Sequence, residues 1–221
     1  MSILLTIYVK NLEPQTQNFY FFQQLATYTG GGQAYSNSLF SQSLGNYDAT
    51  GATLTFQVHL QCYAGIQQTN TPPVIGSPSG YASASRAIDL APSGSGSPND
   101  WTTATFSPLG LSTPINSSDV EPGAFRISTP GFTTPPYYNV GSTVEVNGGL
   151  VLSNFVQANP LSNTDCQPIL KYYVQTGSYT EGTVIDFTQS AVNAALADFS
   201  TGYTTCMVTL NANGTWHTEL E

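Results

Sequence analysis

Between residues 52 and 64 the chain alternates with a period of two. Leu54, Phe56, Val58, Leu60 and Cys62 fall on one side, and Thr53, Thr55, Gln57, His59 and Gln61 on the other. Successive side chains of a strand point to opposite faces, so this pattern buries one face and wets the other. It is the pattern of an antiparallel sheet with one solvated side. The segment reads as one long strand.

Shorter pieces repeat the theme. Residues 2–10 set Ile3, Leu5, Ile7 and Val9 on one face. Residues 18–24 carry aromatics on both faces, which predicts a central strand covered on both sides. Further strands are expected over 33–38, 101–106, 123–128, 169–176 and 184–187. A long or bent strand is expected over 142–156, kinked by a bulge at Gly148-Gly149. Residues 203–211 and 215–220, joined through Asn213-Gly214, read as a hairpin. Residues 46–51 have turn chemistry. A single short helix is expected over 190–199, where Val192, Ala195, Leu196 and Phe199 share a face, Ser190 caps and Gly202 stops. Roughly ten to twelve short strands with Gly/Pro turns define an all-β chain. The expected architecture is an antiparallel β-sandwich, jelly-roll or Ig-like.

No internal repeat is visible, so a propeller or solenoid is disfavoured. Residues 69–100 break the strand pattern with Pro72, Pro73, Pro78, Pro92 and Pro98 among Ser and Gly. Proline has no donor for a ladder, so no long central strand belongs there. Composition does not change on either side. The expectation is a single domain over 1–221 with a mobile Pro/Ser/Gly-rich insertion.

Charge narrows the function classes. Only 4 basic and 13 acidic residues are present, 8% of the chain, against about 25% in an average soluble domain. The polar surface must come from Ser, Thr, Asn, Gln and Tyr hydroxyls. The net charge is −9, and the bases Lys10, Arg86, Arg126 and Lys171 are scattered. Phosphate backbones and anionic membranes need clustered cations, so nucleic acid is excluded as the expected partner. Eleven Phe, 13 Tyr and 2 Trp argue against disorder. No apolar run is long enough for a transmembrane segment, and the N-terminus lacks the features of a signal peptide. These points favour a soluble protein, cytoplasmic or non-classically exported.

Catalytic motifs are missing. Cys62, Cys166 and Cys206 are an odd set without CxxC or Cys/His ligand spacing, so no structural zinc is expected, though one disulfide is open. His59 and His217 read as ordinary polar-face residues. Asp119 and Glu121 read as solvated loop carboxylates. Glu145 and Asp186 lie in strand-like runs and need solvent or a partner. No nucleophile elbow, phosphate loop or dinucleotide fingerprint occurs. No cofactor and no metal are expected, and the reading leans away from an enzyme.

Aromatics near turns are the remaining functional resource. Trp101, Trp216, Tyr137 and Tyr138 are the candidate ligand-stacking residues, with Asp100 and Asn139 as hydrogen-bonding partners. This favours a lectin-like, carbohydrate-binding protein that recognises a neutral polar ligand such as a glycan. The alternatives are a self-assembling structural protein or β-type pore-forming toxin, with homo-oligomers possible, and an enzyme on a β-sandwich scaffold.

Overall fold

A computed structural model describes residues 3–221. Ser2, the first residue of the expected opening strand, lies outside them. The first strands are β1 (Leu4–Asn11), β2 (Gln17–Gln23), β3 (Thr27–Thr29), β4 (Ala34–Asn37), β5 (Phe40–Leu44), β6 (Leu54–His59) and β7 (Tyr63–Thr69). The middle of the chain adds β8 (Ala82–Ala87), β9 (Trp101–Phe106), β10 (Leu109–Leu111), β11 (Phe125–Thr129), β12 (Tyr137–Val146) and β13 (Gly149–Gln157). The last are β14 (Ser162–Gln167), β15 (Lys171–Thr176), β16 (Val184–Ile185), β17 (Ala195–Asp198), β18 (Thr205–Leu210) and β19 (Trp216–Leu220). Two short α-helices, α1 (Tyr47–Thr50) and α2 (Phe187–Val192), interrupt them. Strands make up 51% of the chain and helix 6%, an all-β, β-sandwich-like fold.

Ten strands form the large sheet, along the path β16-β4-β13-β12-β6-β1-β18-β19 with β7 and β8 branching from β12. The other strands form a five-stranded sheet, β10-β9-β11-β14-β3, and a four-stranded sheet, β17-β15-β2-β5. The two smaller sheets are halves of one opposing layer. β2 passes into β3, and β14 into β15, across breaks of only three residues. Two cores fill the gap between the layers. Leu5, Ile7, Phe19, Phe21, Phe56 and Val208 lie in the core beneath the four-stranded sheet. Ile66, Phe125, Ile127, Val140 and Cys166 lie in the core beneath the five-stranded one. Pairing is mainly antiparallel, but β1 lies parallel to β18 and β9 parallel to β11.

The doubly aromatic strand behaves as its sequence predicts. β2 is central in its sheet. Phe19 and Phe21 enter the inter-layer core, while Tyr20 and Phe22 face out under Phe187, Ala191 and Ala194. Helix α2 therefore roofs the outer face of the four-stranded sheet.

The single expected helix becomes two, because residues 47–50 of the expected turn wind into α1 under the Asn46 cap, and three further expectations change. The alternation of 52–64 is not one strand: it ends at His59, and Tyr63 starts β7. β6 runs along β1 and meets β12 only at Val58–Val146, whereas β7 pairs with β12 from Tyr63 to Thr69, so the chain breaks between the two ladders. The expected bent strand of 142–156 is a hairpin. Asn147 and Gly148 both have positive φ, 48° and 86°, as a two-residue turn of the Asn-Gly kind demands. The bulge falls between Ser142 and Thr143 instead. The helix expected near 190–199 sits earlier, capped by Asp186, whose side chain accepts from the Gln189 amide. Residues 195–198 form an edge strand, because Ala195 and Ala197 turn inward against β15 while Leu196 stays exposed. Period two wins there over period 3.6 because β15 offers a free ladder.

The three cysteines are free. Cys166 and Cys206 are fully buried and Cys62 half-buried. Burial pushes all three thiols up, Cys206 to about 11, so little thiolate exists near neutrality. A thiol-reactive disulfide reagent at pH 8 is expected to label Cys62 slowly and the other two only after denaturation. Rapid labelling of all three in the native protein would contradict this core.

Candidate functional site

The largest of the clefts described here holds about 530 Å³, against about 250 Å³ for the next. It opens where the four-stranded sheet, helix α2 and the two terminal hairpin strands meet. Its walls come from distant parts of the chain: Glu13 and Gln17 beside the β1–β2 turn, Tyr20 on β2, Gln175 and Thr176 ending β15. Tyr179, Gln189 and Ser190, Asn193, Leu210, Gly214 and Trp216 complete it.

The walls are held by hydrogen bonds and ring contacts. The Glu13 amide donates to Asn11 Oδ1 at 3.0 Å, and the Glu13 carbonyl accepts from Asn46 Nδ2 at 2.9 Å. Asn11 is itself fully buried and donates to the carbonyls of Gln15 and Leu44. The β1–β2 turn is thereby held as a rigid rim. Gln17 Nε2 donates to Glu13 Oε2. Trp216 Nε1 donates to the Asn193 carbonyl at 2.8 Å, tying β19 to the end of α2. Its ring meets Phe19 edge-on at 6.1 Å. Tyr20 and Tyr179 pack edge to face at 5.0 Å. The turn before Trp216 is set by Gly214, with φ 79° and its backbone beside Glu13.

The electrostatics are simple. Among the described residues, Glu13 is the only Asp, Glu, Lys or Arg lining the cleft, and no histidine lines it. Burial pushes the Tyr20 phenol up, against a smaller opposite effect from its hydrogen bond with Ser190, so Tyr20 stays neutral. The chain's bases are engaged elsewhere. Lys10 sits 4.9 Å over the Tyr47 ring, and Arg86 donates to the Leu111 carbonyl. Arg126 pairs with Asp165 at 2.6 Å, and Lys171 with Asp198 at 2.9 Å.

Of the six residues singled out in the sequence, only Trp216 lines this cleft. Tyr138, Asn139 and Asp100 are built into the protein. Tyr138 stacks on Phe106 at 4.1 Å and meets Phe132 edge-on. Asn139 is fully buried and donates to the Ser79 carbonyl, pinning the loop before β8 to the sheet. Asp100 is buried and accepts from the Ser117 amide at 2.9 Å. Trp101 is half-buried on β9, with Nε1 donating to Ser128 Oγ at 2.8 Å. Tyr137 is half-buried at the start of β12, opposite Thr69. These side chains were assigned to turns, whereas Tyr137, Tyr138 and Asn139 lie on a strand paired on both edges, where large and polar groups pack inward.

The sequence reading missed Glu13, Gln17, Tyr20, Gln175, Tyr179, Gln189 and Asn193. No local signal marks them, because the cleft exists only once β1, β15, α2 and β19 converge. Two carboxylates in strand-like runs have partners within the protein. Asp186 caps α2. Glu145 accepts from Tyr63 at 3.1 Å and lies 3.8 Å from His59. His217 is exposed on β19. Among the described residues, no three His, Cys, Asp or Glu side chains are grouped to hold a metal. No helix among them is long and apolar enough to cross a membrane.

No protein-family model, curated protein or solved structure matches this chain. The class it can be given is thus that of its architecture, a β-sandwich-like all-β protein, and its function has to be read from the cleft.

Proposed function

We propose that the chain acts as one β-sandwich binding unit of the lectin type, and that the cleft beside Trp216 takes a polyhydroxylated ligand, a glycan. One observation carries this reading. The walls combine aromatic groups, Tyr20, Tyr179 and Trp216, with amides, Gln17, Gln175, Gln189 and Asn193. A sugar ring offers an apolar face and a rim of hydroxyls. Aromatic surface covers the first, and amides both donate to and accept from the second. The volume falls within the range of small-ligand sites. Anionic ligands are disfavoured, because no base lines the cleft and Glu13 would repel them. Rigid hydrogen bonding of the walls lowers the ordering cost of binding.

The test is a glycan-array screen followed by calorimetric titration of the best oligosaccharide, with light scattering to fix the size of the binding species. Saturable binding by a monomer or small oligomer supports the proposal. Absence of binding across the array, with a large ring or filament in solution, overturns it in favour of assembly.

A further inference from the structure

The cleft carries one carboxylate and no compensating cation. Glu13 is half-buried, its backbone is fixed from two sides, and its Oε2 is already aimed by Gln17. The four basic side chains are each held away from it, on Tyr47, Leu111, Asp165 and Asp198. Among the described residues no ion pair involves Glu13. The same cavity is lined by three aromatic residues, Tyr20, Tyr179 and Trp216. A carboxylate beside aromatic rings attracts an organic cation twice, by charge and by the ring quadrupoles.

Resting on the glycan reading of this cleft, we propose that its preferred ligand is an amino sugar whose protonated amine binds against Glu13. A bare metal ion is a poor alternative, since one carboxylate among amides and rings falls short of the six or more oxygens that calcium gathers. A neutral sugar fills the same walls but leaves the Glu13 charge unpaired. An N-acetylated sugar has the same backbone, with the positive charge replaced by a neutral amide. The ammonium group is therefore the feature that separates these ligands.

The experiment titrates three β-1,4-linked tetramers that differ only at the second ring carbon: glucosamine, N-acetylglucosamine and glucose. It is run at mildly acidic pH, where the sugar amines are protonated, at low and at high salt. The glucosamine tetramer is expected to bind about five- to tenfold more tightly than the other two at low salt, the sum of a partly exposed ion pair and a cation–π contact. The margin is expected to shrink at high salt as charges are screened. Glu13→Gln, which keeps the shape and an acceptor for Gln17, is expected to abolish the preference, so that within this variant the three tetramers bind with the same affinity. The wild-type comparison stands by itself if that variant does not fold. Equal affinity for all three tetramers overturns the amine assignment and leaves the glycan cleft intact. Failure of all three to bind, together with an empty array, overturns the cleft reading and the amine assignment with it.

Discussion

Trp216→Ala is expected to weaken binding of the selected oligosaccharide about thirtyfold or more, the loss typical of truncating an aromatic anchor at the centre of a site. Trp101→Ala is expected to leave affinity within about twofold, as for a residue outside the site. The contrast matters because the two tryptophans look alike in the sequence, each beside a turn with Asn nearby. Only Trp216 lines the cleft, whereas Trp101 is tied to Ser128 on the neighbouring strand. Trp216 also packs on Phe19 and bonds to Asn193, so its removal disturbs structure as well as contact. Trp216→Phe separates the two effects. It keeps an aromatic face and loses the Asn193 bond, so it should recover part of the affinity. A folded Trp216→Ala variant with unchanged affinity would rule out the site.

Phe21→Ala is expected to destabilise the protein by about 3–5 kcal/mol. Phe21 is completely buried and stacks on Phe56 at 4.4 Å with the rings 7° apart. Phe21 sits on the central strand of the four-stranded sheet and Phe56 on the large sheet, so this pair joins the two layers. Truncation leaves a cavity in a closely packed interior that cannot collapse without moving a strand. For a chain of this size the melting temperature should fall by about 10 °C. Tyr203→Ala, at an exposed position outside the core, should cost no more than about 0.5 kcal/mol. A drop of less than about 3 °C for Phe21→Ala would mean that the layers are not held together here.

The legible part of the fold was the part set by local pattern. Strands β1, β2, β9, β18 and β19 follow from period-two alternation and aromatic runs, and each expected range lies within two residues of the observed bounds. The misreadings share one cause. At 52–64, 142–156 and 195–198 the sequence allowed two local structures, and the partner strand chose between them. The Asn147-Gly148 pair is a hairpin signal, but it lies inside a run of β-formers that reads as one strand kinked at Gly148-Gly149.

The candidate site divides in the same way. Trp216 was visible from its type and its position after the Asn213-Gly214 turn. Glu13 was one of 13 acidic residues with nothing local to set it apart. Tyr138 and Asn139 read as turn residues in the sequence, yet they lie near the start of a strand whose side chains are mostly buried.

By itself the sequence determined the all-β class, the doubly covered aromatic strand and a surface almost free of cations, because alternation and composition act residue by residue. The tertiary structure alone decided which strands pair, where the two cores lie and which single carboxylate stands among aromatic groups in an open cleft. Those depend on contacts between residues up to two hundred positions apart, and a two-residue period carries no information about its partner.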